Sequence, residues 1–248
     1  MKTPARRGAL YIVSGHPRYL EEAEFSARML RKFNPGLPIA FASPSRKFKS
    51  RHADIFCQLD PLDHPLKYKP LGLLNSPFEE TLFLDSDTQV KGDLTSLLAL
   101  FDRADLAAAH DLLADWSVTP PRFLSYTDPD HFNTGVLLVR RTPATTALLT
   151  EWYDRTRAQD AAVMRPGIFC DQHWFNTLVL EEKAAQRHGV PLTTFDNRLY
   201  NVRPQMVDPM TAEGIFDAAR ILHFRGNSQK RPLLRRILSS LKKTLTRS

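Results

Sequence analysis

Cysteine is scarce: Cys57 and Cys170 are the only two, their spacing matches no metal-binding motif, and a disulfide-dense secreted scaffold is excluded. A single disulfide between them stays open. The first eight residues, Met-Lys-Thr-Pro-Ala-Arg-Arg-Gly, are charged and contain no apolar stretch, so no secretory leader is expected. No run approaches the roughly 20 apolar residues that span a bilayer, which makes the cytoplasm the default address. Neither a P-loop nor a Gly-x-Gly-x-x-Gly turn occurs, so a glycine cradle for phosphate is not on offer. Internal repeats and low-complexity stretches are also lacking.

What is present describes an ordinary globular chain. Its 248 residues are 42% hydrophobic and 25% charged, enough for one large domain with a full core. The net charge of +7 is not spread over it. Residues 230–248 hold seven cations (Lys230, Arg231, Arg235, Arg236, Lys242, Lys243 and Arg247) and no acid. Without these seven, the 34 basic residues fall to 27, equal to the 27 acidic ones. A neutral body argues against nucleic acid as a partner. Leu233, Leu234, Ile237, Leu238, Leu241 and Leu245 recur at helical spacing among those cations. Residues 230–248 therefore read as a basic amphipathic helix following a domain of residues 1–229. Such a helix suits an anionic membrane surface, which would make the protein peripheral on the inner face. Docking of the helix on the body, with its basic side solvated, is the other reading.

Strand and helix signals alternate. Ala9 to Val13, Pro38 to Ala42, Asp54 to Cys57, Thr81 to Leu84, Leu106 to Ala109, Phe132 to Val139 and Ile221 to Phe224 read as strands. Helices are expected from Pro17 to Phe33, Pro65 to Leu74, Thr95 to Phe101, Pro143 to Thr156, and from an N-capping Asp171 to about His188. Segments 43–53 and 114–131 read as polar, Pro-bearing loops. The expected class is α/β, a mixed and mostly parallel sheet flanked by helices.

Asp85-Ser86-Asp87 ends the apolar run Thr81 to Leu84, a strand with the pattern of burial on both faces. Carboxyl ends of such strands are where open α/β sheets bind ligands. In extended geometry residues i and i+2 point to one side, so the two carboxylates should converge and call for a hard divalent cation, Mg²⁺ or Mn²⁺. Alone, the triplet is also compatible with a solvated turn. An aspartyl phosphatase motif would place Thr or Val where Gln89 stands. An EF-hand fails at Val90 and Ser96.

Further segments follow in order: Gly92-Asp93-Leu94, Phe132-Asn133-Thr134-Gly135-Val136-Leu137-Leu138-Val139, Asp171-Gln172 with Phe175-Asn176, and His223-Phe224-x-Gly226. Together with Leu82 to Asp87, they resemble the metal-dependent retaining glycosyltransferases of the glycogenin and lipopolysaccharide galactosyltransferase group, over roughly residues 60–230. The resemblance implies a GT-A nucleotide-diphosphosugar transferase fold. It implies Mn²⁺ or Mg²⁺ on Asp85, Asp87 and His223, imidazole tilting the choice towards Mn²⁺. Asp171 and Gln172 would be the catalytic pair, Asp171 holding sugar hydroxyls and Gln172 on the face opposite the leaving group. Ser86, Asp111 and Asn133 would touch the sugars, Asn133 having the alternative of capping the turn before Gly135. Lys69, preferred to Lys67, would clamp sugar and phosphate, and Gly226 and Lys230 would meet the diphosphate. Trp116 is a candidate platform for an acceptor ring.

Ser14-Gly15-His16-Pro17 departs from the family turn for the nucleobase, so uridine is the leading expectation only through the rest of the motif set. The chain is also shorter between the Asp85 strand and Asn133, where the acceptor side lies. The reading is a hexosyltransferase using a nucleotide diphosphosugar, with a carbohydrate or lipid-linked acceptor. A metal-dependent phosphohydrolase or nucleotidyltransferase, or a non-catalytic sugar-nucleotide-binding module, stays open at this point.

Overall fold

The computed structural model describes residues 6–46, 50–111, 113–115, 122–125, 131–164 and 169–224, with the backbone alone for 113–115 and 122–125. Its elements are β1 (Arg7–Ile12), α1 (Arg18–Phe33), β2 (Ile39–Ser43), β3 (Ile55–Gln58), α2 (Tyr68–Leu74), β4 (Glu80–Leu84), β5 (Thr88–Val90), α3 (Thr95–Leu98), β6 (Leu106–His110), β7 (Leu113–Asp115), β8 (Arg122–Ser125) and β9 (Phe132–Arg140). There follow α4 (Pro143–Ala158), α5 (Asp171–Asn176), α6 (Ala184–Arg187), β10 (Leu192–Phe195), α7 (Asn197–Tyr200), α8 (Val207–Ala212) and β11 (Ile221–His223). Seven strands form one sheet in the order β10-β6-β9-β4-β1-β2-β3. β9 runs antiparallel to β4 and β6, and the other pairs are parallel. This is the mixed, mostly parallel α/β sheet expected from the sequence.

Period-two alternation sorts the sheet's side chains into two apolar layers. Leu10, Phe83 and Leu137 point towards Leu71, Trp152 and Phe175 of α2, α4 and α5. Tyr11, Leu82, Leu84, Val136 and Leu138 point the other way, to Ala23, Ala27 and Leu30 of α1 and Leu97 of α3. All five residues of β4 are buried, and each large apolar side chain there contributes on the order of 1.5–3 kcal/mol relative to exposure. A third cluster, with Met206, Met210, Leu222 and Phe224, backs β11.

Local chemistry explains the main helix starts. α4 begins at Thr142, whose Oγ1 accepts from the Thr145 N–H at 3.1 Å while Thr145 Oγ1 accepts from the Thr142 N–H at 2.8 Å, with Pro143 in the first turn. The helix expected from Asp171 to His188 differs. Cys170 occupies the N-cap position and Asp171 is the first helical residue, its carboxylate drawn to a lysine instead of the helix end. A π-helical turn at Thr177–Glu181 follows, and Lys183 at φ 52° separates it from α6.

Of the short antiparallel pair β5 and β11, β11 lies within the strand expected from Ile221 to Phe224, whereas β5, three residues long, was not expected. β10, unanticipated in the sequence, joins the sheet's edge beside β6. The tail 230–248 lies outside the described residues.

Trp152 ties α4 to the start of α5: its Nε1 donates to the Asp171 carbonyl at 2.8 Å, and its ring meets Phe175 edge-on with centroids 5.0 Å apart. Trp152→Phe removes that bond and leaves a gap, and it should lower unfolding stability by about 1–2 kcal/mol in urea titration. An unchanged midpoint and slope would show that α4 does not brace α5.

Candidate active site

The site begins where β4 ends. Asp85 to Thr88 form a tight turn, in which the Thr88 N–H and Oγ1 donate to the Asp85 carbonyl at 3.0 and 2.8 Å. The two aspartates thus converge through a turn and not through the extended geometry expected. Asp85 is held from the other side by its N–H, which donates to the Gly135 carbonyl of β9 at 2.8 Å. Thr88 Oγ1 also meets Ser26 Oγ at 3.1 Å, and Ser26 meets the buried Tyr11 hydroxyl at 2.9 Å. The turn is therefore anchored to α1 and β1.

Antiparallel pairing of β11 with β5 sets His223 opposite Thr88, and the Phe224 N–H donates to the Asp87 carbonyl at 3.2 Å. His223 Nε2 then lies 3.3 Å from Asp87 Oδ1 and 3.6 Å from Asp85 Oδ2. One ligand atom from each of the three residues lies within 4.8 Å of the others. Two hard oxygens and an imidazole fit a divalent ion such as Mn²⁺. Space for the ring depends on glycine: a Cβ on Gly135 would come within 2.0 Å of His223 Cε1.

Lys69 of α2 enters from a second side. Its Nζ is 3.1 Å from Asp85 Oδ1 and 2.7 Å from Asp171 Oδ2, and it donates to Thr134 Oγ1 at 3.1 Å. Lys67 is turned away, bound to Asp63 at 2.9 Å and to the Arg157 carbonyl at 3.0 Å. Burial works against the Lys69 charge, but the attraction of Asp171 and Asp85 prevails and holds its pKa above the ordinary value. For Asp85, burial pushes the pKa up, Lys69 and His223 oppose it, and Asp87 and Asp171 add to it; the net shift is upward.

These groups border a cleft of about 440 Å³. Gln172 crosses its floor, Oε1 accepting from the Thr134 N–H at 3.2 Å and Nε2 donating to Asp111 Oδ2 at 3.0 Å. Asp111 stands behind Gln172 and is not on the cleft wall. Asn133 borders the cleft, but its Oδ1 accepts from the Gly135 N–H at 2.9 Å and from Asn201 Nδ2 at 3.0 Å. The wall also includes Ser86, Ser14 after β1, and Arg18 and Tyr19 at the start of α1, with the Arg18 guanidinium 4.9 Å over the Tyr19 ring. Gly15, at φ +80°, makes the turn after β1 in a conformation that favours glycine. Gly226, Lys230 and Trp116 fall outside the described residues.

Sequence reasoning missed three contributors. Thr134 was hidden inside a strand signal. Arg203 lines the cleft, with Nη1 3.8 Å from Asp111 Oδ1. Asn201 accepts from His223 Nδ1 at 2.9 Å. Neither Arg203 nor Asn201 sits in a recognisable local pattern, so no signal short of the fold could have marked them.

A model of the nucleotide-diphospho-sugar transferase family matches residues 80–231. The chain belongs to that family. No curated protein matches it in sequence. Among solved structures, the glycosyltransferase GlyE of Streptococcus pneumoniae TIGR4 is 20% identical with a TM-score of 0.58, over 92% of this chain and 56% of that one. This chain thus spans little more than half the pneumococcal protein. A glycosyltransferase involved in glycosylation of the major capsid of PBCV-1 is 16% identical at TM-score 0.56, over 92% of this chain and 98% of its own. Mouse xyloside xylosyltransferase 1 is 14% identical at TM-score 0.54, with 90% and 98% covered. These likenesses establish the fold as GT-A, that of the nucleotide-diphospho-sugar transferase family to which the chain belongs.

In the transferase, Gly135→Ala should drive the imidazole out of its place. Mn²⁺ titrated into the variant should bind about tenfold more weakly or worse. Affinity equal to the parent's would show that His223 is not needed where it stands.

Proposed function

We propose that the transferase moves a hexose from a uridine diphosphosugar to a carbohydrate or lipid-linked acceptor, with retention of anomeric configuration and with Mn²⁺ (or Mg²⁺) held by Asp85, Asp87 and His223. The observation that carries this reading is the convergence of those three side chains at the end of β4, their ligand atoms within 4.8 Å of one another. When bound, the cation supplies positive charge against the departing diphosphate.

The chain's own residues complete the chemistry. Lys69, fully charged beside Asp85 and Asp171, is placed to offset charge where the sugar–phosphate bond breaks. The same ammonium and Thr134 Oγ1 orient Asp171, which then presents its remaining acceptor capacity to sugar hydroxyls. Gln172 is fixed at both ends of its amide, a rigid neutral group on the face opposite the leaving group. Ser86, Asn133 and, through Gln172, Asp111 frame the sugar, and Gly226 and Lys230 meet the diphosphate. The turn Ser14 to Pro17, with Arg18 and Tyr19, faces the nucleoside.

Residues 1–229 form the transferase domain in this reading, and residues 230–248 bring it to an anionic membrane surface where a lipid-linked acceptor resides. The address is then the cytoplasmic face of a membrane. Among the described residues no helix is long and apolar enough to cross a bilayer.

Two measurements test the proposal. UDP should raise the melting temperature only when Mn²⁺ is present, slow hydrolysis of a UDP-hexose should accompany it, and Asp87→Ala should abolish both with the fold intact. Binding without hydrolysis would make the protein a sugar-nucleotide-binding module, and unchanged turnover in Asp87→Ala would remove the cation from the reaction. Separately, deletion of residues 232–248 should abolish sedimentation with anionic liposomes and spare donor hydrolysis. Liposome binding retained by the truncated chain would show that the anchor lies elsewhere.

A further inference from the structure

We propose that Asn201 is a positioning residue for the cation site: it fixes the tautomer of His223 so that the bare Nε2 faces Asp85 and Asp87. This rests on the reading of those three side chains as cation ligands. The argument starts from a group whose polarity is not open to choice. The backbone N–H of Gly135 can only donate, and it lies 2.9 Å from Asn133 Oδ1. That end of the Asn133 amide is therefore the oxygen. The group that meets the same atom at 3.0 Å must be a donor, which makes it Nδ2 of Asn201. The opposite end of the Asn201 amide is then its oxygen, and it lies 2.9 Å from His223 Nδ1. An amide oxygen only accepts, so Nδ1 carries the proton.

A neutral imidazole with its proton on Nδ1 has its lone pair on Nε2, the atom 3.3 Å from Asp87 and 3.6 Å from Asp85. Without Asn201 the proton loses the acceptor that keeps it on Nδ1, and a nitrogen that carries a proton cannot ligate a metal. The relay is closed to water: Asn133, Asn201 and His223 are 2%, 1% and 4% exposed. It is also mechanically fixed. The Asn201 N–H donates to the Asn197 carbonyl at 3.0 Å, and the adjacent Val202 bridges Leu222 and accepts from the His223 N–H at 2.8 Å. Asn201 does not border the cleft, so its influence on the site runs through His223.

The test uses the full chain with Mn²⁺ alone, its binding followed by electron paramagnetic resonance, in the parent, Asn201→Ala, His223→Ala and the double variant. Asn201→Ala should weaken Mn²⁺ by about 10–100-fold, and the double variant should bind no more weakly than His223→Ala. Parent-like affinity in Asn201→Ala would overturn the proposal. So would a double variant weaker than His223→Ala by the full factor of the Asn201 change, since Asn201 would then act independently of the ring. Failure of the parent itself to bind Mn²⁺ would instead refute the cation reading. Long-range proton–nitrogen spectra of the metal-free parent, labelled with ¹⁵N-histidine and assigned against His223→Ala, decide the tautomer without an Asn201 variant. A ring protonated on Nδ1 supports the proposal, and one bare at Nδ1 with its proton on Nε2 overturns it.

Discussion

Asp85, Asp87 and Asp171 gather where β4 meets the cleft, and like charges so placed repel unless cations separate them. Lys69 stands between two of them, at 3.1 and 2.7 Å, and His223 faces Asp85 and Asp87. One ammonium faces three carboxylates; burial first, and then Asp87 and Asp171, raise the Asp85 pKa against the pull of Lys69 and His223. A divalent ion would bring that count to zero. The arrangement is thus disfavoured without a counter-charge.

Each part of the fold serves that convergence from a different distance in sequence. β4 delivers the aspartates, β9 supplies Thr134 and the side-chain-free Gly135, α2 supplies Lys69, and α5 supplies Asp171 and Gln172. The smallest element has the largest leverage. Three residues of β5 capture three of β11 and so carry His223 to the opposite side of the turn. Behind it, Met206, Met210 and Leu222 give that short pair the apolar backing that its few backbone bonds could not supply alone.

The parts legible in the sequence were those whose signal is local. β4 and β9 announce themselves as unbroken apolar runs because both faces of the sheet are covered, and α4 announces itself through its cap and its proline. Asp85 and Asp87 stood out as carboxylates at the end of such a run, whereas Asp171 and His223 were marked only by the family resemblance. β5 (Thr88-Gln89-Val90) and β10 (Leu192-Thr193-Thr194-Phe195) escaped because their polar residues leave no apolar run to mark so short a strand. The break at Lys183 escaped because the residue there gives no warning of a positive φ. Asn133 offered both a sugar contact and the cap before Gly135; the capping bond is present, while its second partner, Asn201, is 68 residues away and gave no local signal. Arg203 was invisible for the same reason: what makes it part of the site is where the bridge between Val202 and Leu222 puts it.

The central claim is that a cation sits between Asp85, Asp87 and His223 and engages the diphosphate. Crystals grown with Mn²⁺ and UDP, measured at a wavelength where manganese scatters anomalously, address it most directly. The account predicts one strong anomalous peak touching both carboxylates, His223 Nε2 and oxygens of both phosphates. A bound nucleotide with no peak there, or a manganese ion that His223 and either aspartate do not reach, would contradict it.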